Sequence, residues 1–183
     1  WVKYWMHGEF LLVDSPSTSS GSKMAKSEGN FIPLRTIKEK GISPIAYRYF
    51  ILQTHYRKQL TFSWKALEAA QNGLQHLMNM VSGWNKPHIG CAEYEEKFLQ
   101  LINDDLNTPE ALALTWDLVK SNYPDHAKKA TLLKFDRVLG LGLDTVKKKR
   151  VVIPIDIKKL LNSREKAREK KNWKESDRLR DEI

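Results

Sequence analysis

Cysteine is almost absent from this chain of 183 residues: Cys91 stands alone, which excludes an internal disulfide framework and leaves no partner for a cysteine-based zinc cage. Long apolar runs are missing too. No stretch of about 18 apolar residues occurs, and no basic, then apolar, then small-residue leader opens the sequence. The composition therefore predicts a cytoplasmic protein with no membrane partner. At 41% hydrophobic residues the chain can bury one ordinary core, or a small core with an appended helical unit, and a two-domain enzyme would be cramped. Trp1 opens straight into an apolar segment, and Arg178 to Ile183 halt inside a helical pattern with no capping signal, so both ends read as cuts.

Charge is unevenly spread. Residues 1–62 hold nine Lys/Arg against four Asp/Glu, residues 63–146 hold eight against eleven, and residues 147–183 hold fourteen against seven. The two ends are basic and the middle is not. A polyanion touching both ends would be served by this layout, because neutralisation of phosphates by Lys and Arg supplies most sequence-independent affinity for nucleic acids. Solvated helix faces would give the same count, and charge alone does not separate the two.

Tyr4 to Val13 has the aromatic and aliphatic content of a short buried strand. The polar run from Asp14 to Ser22 that follows cannot bury enough surface to order itself and is expected to be mobile. Ser43-Pro44 is an N-cap with proline at the first helical position, and Ile45, Tyr49 and Leu52 supply the apolar stripe of the helix it starts. From Ser63 the pattern is helical throughout. Leu67, Ala70, Leu74, Leu77, Met78 and Val81 recur at steps of three and four up to Gly83, and a second helix carries Tyr94, Phe98, Leu101 and Ile102. Thr108-Pro109 starts a third with Leu112, Trp116 and Val119 inward, and Asp125 is expected to cap a fourth containing Ala127, Ala130, Leu133 and Val138, stopped by Gly140 and Gly142. Successive amphipathic helices on short connections pack most economically as an antiparallel bundle. Beyond the basic run Lys147 to Arg150, Pro154 begins a helix with Ile157, Leu160 and Leu161, and Asn172 with Glu175 starts the last one.

The stretch that carries chemistry is Lys23-Met-Ala-Lys26-Ser27-Glu-Gly29-Asn30. Two lysines three residues apart on a loop can fold over a triphosphate and meet the negative charge that builds on a departing pyrophosphate. Lysine suits the task because its ammonium is a point charge on a flexible stem, and Gly29 lets the backbone turn sharply beside a ligand. Preorganised charge of this kind is worth several kcal/mol to a transition state once the loop closes in register. A bare Lys-x-x-Lys would equally describe a solvated basic loop, so the surroundings decide.

The octet resembles the Lys-Met-Ser-Lys-Ser signature of class I aminoacyl-tRNA synthetases, often extended by Leu-Gly-Asn, matching six of those eight positions, with Ala25 where a serine is usual and Glu28 where a leucine is usual. Its surroundings resemble the cysteinyl-tRNA synthetase family. Tyr4-Trp-Met-His7 and Phe10-Leu-Leu-Val-Asp14 are similar to that family's approach to the loop, and Tyr47-Arg-Tyr-Phe50 and His55-Tyr-Arg57 to the segment after it. Asp104-Asp-Leu-Asn-Thr-Pro-Glu110 is similar to the start of its helical half, and Arg164 to Ala167, Asn172-Trp173 and Ser176 to Glu182 to its late arginine-rich helices. One further departure is the eight residues, Ser15 to Ser22, that separate Asp14 from Lys23 where the family has a very short turn.

The resemblance implies a mainly α chain: the C-terminal edge of a class I nucleotide-binding α/β fold, a short strand plus lysine loop, followed by an antiparallel helical bundle. The expected divisions are residues 1–62 for the end of the catalytic nucleotide-binding domain, 63–146 for the bundle and 147–183 for a basic helical tail. It implies a ligase that activates cysteine with ATP, accompanied by Mg2+, and transfers it to tRNA. In that ligase Lys23 and Lys26 are the catalytic lysines, and Lys26, Lys23, Ser27, Leu12 and Val13 meet ATP, the strand bordering the adenine through backbone groups. Zinc selects cysteine in the family, with ligands outside this chain, so the chain alone is expected to be inactive. A non-catalytic tRNA-binding module derived from a synthetase, or an ATP-dependent ligase joining cysteine to a small amine, stands as the alternative; the arginine-rich tail favours a tRNA partner.

Other residues carry blander readings. Pro87-His-Ile-Gly-Cys91 mimics the second class I signature, His-Ile-Gly-His, but lies behind the lysine loop, where only an interhelical connection is expected. Gly140-Leu-Gly142 lacks the third glycine of a dinucleotide fingerprint and is read as a helix stop. His55, His76, His88 and His126 have no metal-ligand spacing, and Asp104-Asp105 is expected to end a helix and not to form a paired-carboxylate site.

Overall fold

The computed structural model describes residues 2–15, 18–25, 29–146 and 154–182, without the side chains of residue 15 and residues 18–21. It divides into two compact units, residues 1–148 and 149–183. The first unit combines a small sheet with six helices and the second has two, so the described chain is mainly helical, as expected.

The sheet has the order β2-β1-β3, built from β1 (Leu11–Ser15), β2 (Thr18–Lys23) and β3 (Leu60–Phe62). β1 runs parallel to β3, with Leu11, Leu12 and Val13 opposite Leu60, Thr61 and Phe62. It runs antiparallel to β2, with Leu12 opposite Lys23 and Val13 opposite Ser22, and an irregularity between Val13 and Ser15. Two sequence expectations are corrected here. The strand begins at Leu11, since residues 4–10 lie outside any strand. The Ser-rich run is also not left as an open loop, because Thr18–Lys23 forms an edge strand. A polar segment that buries little can still order itself when its N–H and C=O groups find partners on a neighbouring strand.

Between β1/β2 and β3 come α1 (Leu34–Glu39) and α2 (Pro44–Leu52). Parallel strands require such a crossover. Ser43 caps α2 by accepting from the Ile45 N–H, with Pro44 at the first position. Ala46, Tyr49 and Phe50 are buried, while Ile45 and Leu52 are half-buried. Phe62 meets both Phe50 and Trp64 edge-on, at 6.1 and 5.2 Å between ring centroids, and this joins the sheet to the helices.

The bundle consists of α3 (Trp64–Val81), α4 (Ala92–Asn103), α5 (Thr108–Lys120) and α6 (Asp125–Leu139). α3 is capped by Ser63 and buries Leu67, Ala70, Leu74, Leu77 and Val81, the stripe its spacing predicts. Phe98 of α4 stacks on Phe135 of α6 at 4.0 Å. α6 is not capped by Asp125, which is its first helical residue behind Pro124; Lys128, Thr131, Leu132, Phe135 and Leu139 are buried, Ala127, Ala130 and Leu133 are half-buried, and Val138 is exposed. Two polar members of the buried face hide it from a hydrophobic reading. Thr131 accepts the Cys91 N–H at 2.6 Å, and Lys128 buries its stem while its ammonium reaches the carbonyls of Val119 and Ser121 and the Asp125 carboxylate. The end of α6 is tied by the Asp136 carboxylate, which accepts from Leu141 and Leu143, and by Arg48 Nε of α2, which donates to the Leu139 carbonyl at 2.5 Å.

In the second unit, α7 (Ile155–Glu169) and α8 (Trp173–Asp181) pack against each other, with Ala167 and Leu179 buried. Asn172 caps α8 by accepting from the Glu175 N–H, as its spacing predicts. Among the described residues no helix is long and apolar enough to cross a membrane.

Candidate functional site

Lys23 closes β2 directly opposite Leu12, so the hairpin register, set by backbone pairing, places one lysine of the octet at the end of the edge strand, beside the central β1. The side chain of Lys23 is exposed, and its ammonium lies 4.2 Å from the centroid of the Phe10 ring. A cation at that distance is attracted by the ring face, which holds Lys23 without neutralising it. Leu12 and Val13 are half-buried on β1, beside Lys23 and Ser22. Lys26 and Ser27 lie outside the described residues.

The loop comes back at Gly29, whose φ of +68° is a left-handed conformation that favours glycine. Asn30 then reaches across to the start of the loop. Its Oδ1 accepts the Ala25 N–H at 2.7 Å, and its Nδ2 donates to the Lys23 carbonyl at 3.0 Å and to Ser22 Oγ at 3.2 Å.

Residues 8–11 also run beside the segment that leads into β3, where the Glu9 N–H donates to the Tyr56 carbonyl at 2.8 Å. A concavity of 220 Å³ is lined there by Phe10, Leu11, Tyr47, Ile51, His55 and Lys58, among others. Burial pushes the Tyr47 phenol up from its ordinary pKa. Upstream, Tyr4, Trp5 and Met6 are 90%, 66% and 61% exposed, and His7 stacks on Trp5 in the open.

A polar latch fastens this region to the bundle. The Asp105 carboxylate, at the turn between α4 and α5, accepts from Arg57 Nε at 2.6 Å, Arg57 Nη2 at 3.1 Å and the Tyr56 hydroxyl at 2.5 Å. His55 Nε2 meets the Asp105 carbonyl at 2.9 Å. The hydrogen bonds from Arg57 and Tyr56 lower the Asp105 pKa to about 2, and the same contacts raise that of Arg57. Asp105 and Leu106 have φ of +52° and +55°, a strained turn that the latch helps to hold. Asp105 thus ends a helix, as expected, and it also has an ionic partner 48 residues away that nothing in the sequence signals.

The signature mimic is an interhelical connection in the structure. A Cβ at Gly90 would clash with Glu95 Oε1 and lie 2.8 Å from Thr131 Oγ1, so glycine there leaves room for Thr131 to donate to Glu95, which also takes a bond from Lys134. Among the described residues no three His, Cys, Asp or Glu side chains converge to hold a metal ion. They therefore do not form a site for the zinc that the family resemblance implies.

Asn30 and Phe10 are the functional candidates that the sequence reading missed. The signal for Asn30 was its place after a turning glycine; that for Phe10 was cross-strand proximity, visible only once the register is known.

Residues 1–72 match the family model described as tRNA synthetases class I (C) catalytic domain, and residues 152–183 that described as cysteinyl-tRNA ligase anticodon binding domain. Cysteine–tRNA ligase 1 of Burkholderia lata is 43% identical over 182 residues, covering 100% of this chain and 38% of the relative. The cysteine–tRNA ligase of Chlamydia muridarum is 35% identical over 212 residues, and that of Treponema denticola 34% over 221 residues. Both alignments cover 100% of this chain, and 42% and 43% of the respective relatives. The chain spans less than half the length of these relatives.

Proposed function

The chain belongs to the cysteinyl-tRNA synthetase family, and on that premise we propose that it supplies the phosphate-binding lysine loop and the RNA-contacting helices of an ATP-dependent cysteine–tRNA ligase. The observation that carries the reading is the placement of Lys23: an exposed ammonium at the end of an edge strand, beside Leu12, at the start of a loop whose two ends are bonded together. Residues 1–62 would be the end of the nucleotide-binding domain, 63–146 the bundle and 147–183 a basic tail that meets tRNA.

In the reaction, the cysteine carboxylate attacks the α-phosphorus of ATP and pyrophosphate leaves, giving cysteinyl-adenylate; the tRNA terminal hydroxyl then takes the cysteinyl group and AMP leaves. Mg2+ accompanies the ATP. Lys23 and Lys26 neutralise the diphosphate as its bond to the α-phosphorus lengthens, charge stabilisation that matters most in the transition state. Leu12 and Val13 border the adenine through the backbone, and Ser27 meets the phosphates. No step runs through zinc on residues of this chain. The location proposed for the protein is the cytoplasm.

The test is ATP–pyrophosphate exchange by the whole protein carrying Lys26→Ala. A loss of tenfold or more, about 1.4 kcal/mol of transition-state stabilisation, supports the assignment. Unchanged exchange removes it. Aminoacylation of tRNA, set against acylation of a small amine, separates the ligase from its alternative, and the match of residues 152–183 to an anticodon binding domain favours tRNA.

A further inference from the structure

We propose that Phe10 is the positioning residue of Lys23, holding its ammonium against the ring face so that the lysine is already ordered when a phosphate arrives; this rests on the phosphate-binding reading above, and only on its Lys23 half. The ammonium lies 4.2 Å from the ring centroid. Strand register explains how the two side chains meet: Leu12 is the cross-strand partner of Lys23, and Phe10 stands two residues before Leu12, a diagonal that an aromatic ring and a long lysine stem can span. The backbone beneath the ring is fixed on both sides. The Glu9 N–H donates to the Tyr56 carbonyl at 2.8 Å, and Leu11 stands opposite Leu60 in the pairing of β1 with β3. Tyr56 is fastened in turn, since its hydroxyl and the Arg57 guanidinium both donate to Asp105.

A phenylalanine on a fixed backbone has few torsions of its own, whereas a lysine stem is long and flexible. The stiffer side chain therefore orders the looser one. The kind of attraction matters as well. A carboxylate in the place of the ring would neutralise the lysine, occupy its N–H groups and compete with a phosphate. A ring face attracts through its quadrupole, so the positive charge is kept and the N–H groups turned away from the ring stay free to donate. Freedom that the stem has given up before ATP binds need not be lost on the way to the transition state, which is the benefit of preorganisation. Both side chains are exposed, Phe10 at 59%, so a phosphate has access and the contact is of the weaker, solvated kind. A modest effect on rate follows.

The experiment uses two readouts. In the 183-residue chain, the NMR signals of the Lys23 ε-methylene protons are expected upfield of their ordinary position, in the shielded region over the ring, and should return to it in Phe10→Leu. In the whole protein, Phe10→Leu is expected to lower kcat for ATP–pyrophosphate exchange about threefold, with KM for cysteine and the melting temperature unchanged. Phe10→Tyr keeps the ring face and is the conservative rescue, with a smaller loss than Phe10→Leu. Phe10→Met, which keeps apolar bulk without a ring, replaces the leucine variant should that protein fail to fold. In a Lys23→Ala background Phe10→Leu should add no further loss, because a residue that acts through Lys23 then has nothing to position. Wild-type kcat in Phe10→Leu, while Lys23→Ala is impaired, overturns the proposal and spares the phosphate reading. An equal loss in Phe10→Tyr, a further loss in the Lys23→Ala background, or unshifted ε-methylene protons in the wild type overturns it too. A parallel fall in cysteine affinity or melting temperature does the same, by making Phe10 merely structural. Wild-type exchange in Lys23→Ala removes Lys23 from the phosphate reading, and this proposal with it.

Discussion

Up to Asn30 the chain keeps Tyr4, Trp5, Met6 and Phe10 exposed and is held by strand pairing, one carboxamide and a cation over a ring. From Trp64 to Leu139 it buries Leu67, Leu77, Leu118, Leu132 and Phe135 to 1% exposure or less. Each such side chain is worth about 1.5–3 kcal/mol when removed from water, whereas an ordinary hydrogen bond nets about 1 kcal/mol. The bundle is therefore the stable platform. The edge strand Thr18–Lys23 and the described residues around it, with few buried side chains, form the less stable part. Stability and chemistry should respond to different substitutions.

The largest effect is expected in the bundle. Phe135→Ala, which removes the ring stacked on Phe98, should cost about 3–5 kcal/mol in urea unfolding of the chain. Gly90→Ala comes next, at about 1–3 kcal/mol, because the new methyl must displace Glu95 from Thr131 and Thr131 from the Cys91 N–H. Lys26→Ala should show the reverse pattern. Its tenfold loss of pyrophosphate exchange in the whole protein, about 1.4 kcal/mol, should leave the urea midpoint of the chain unchanged. A midpoint shift as large as that of Phe135→Ala would break the division between platform and loop.

The smallest effect probes the seam between the regions. In the folded chain the Asp105 pKa is about 2, below the ordinary 3.8, because Arg57 and Tyr56 bond to the carboxylate. Its contribution to stability is accordingly present above the ordinary carboxylate range and is lost as pH falls from there through about 2. Asp105→Asn keeps a residue that tolerates the positive φ but removes the charge. The difference in urea midpoint between the two proteins should be small and salt-sensitive at pH 6, since the pair is exposed, and should shrink towards pH 2. A pH-independent difference would mean that the latch works through shape and not charge.

Much of this was legible in the residues. The caps at Ser43 and Ser63, the stripe of α3 and the Asn172 start of α8 follow from local preferences that the tertiary structure did not oppose. The octet Lys23 to Asn30 was visible as a pattern because its residues are contiguous. The inward face of α6 was not, since two of its members are a lysine and a threonine whose polar atoms find partners on other elements. Nor was β2, which a reading of composition left as a loop.

By itself the sequence determined the helical periods, the helix starts and the octet that carries two lysines, because each depends on residues within a few positions of one another. Only the tertiary structure decided that Lys23 lies beside Leu12 and over Phe10, that Asn30 clasps Ala25, and that Asp105 meets Arg57. Those contacts depend on strand register and on the turns between elements, and the energies that set them are summed over the whole packed chain, with no local pattern to announce them.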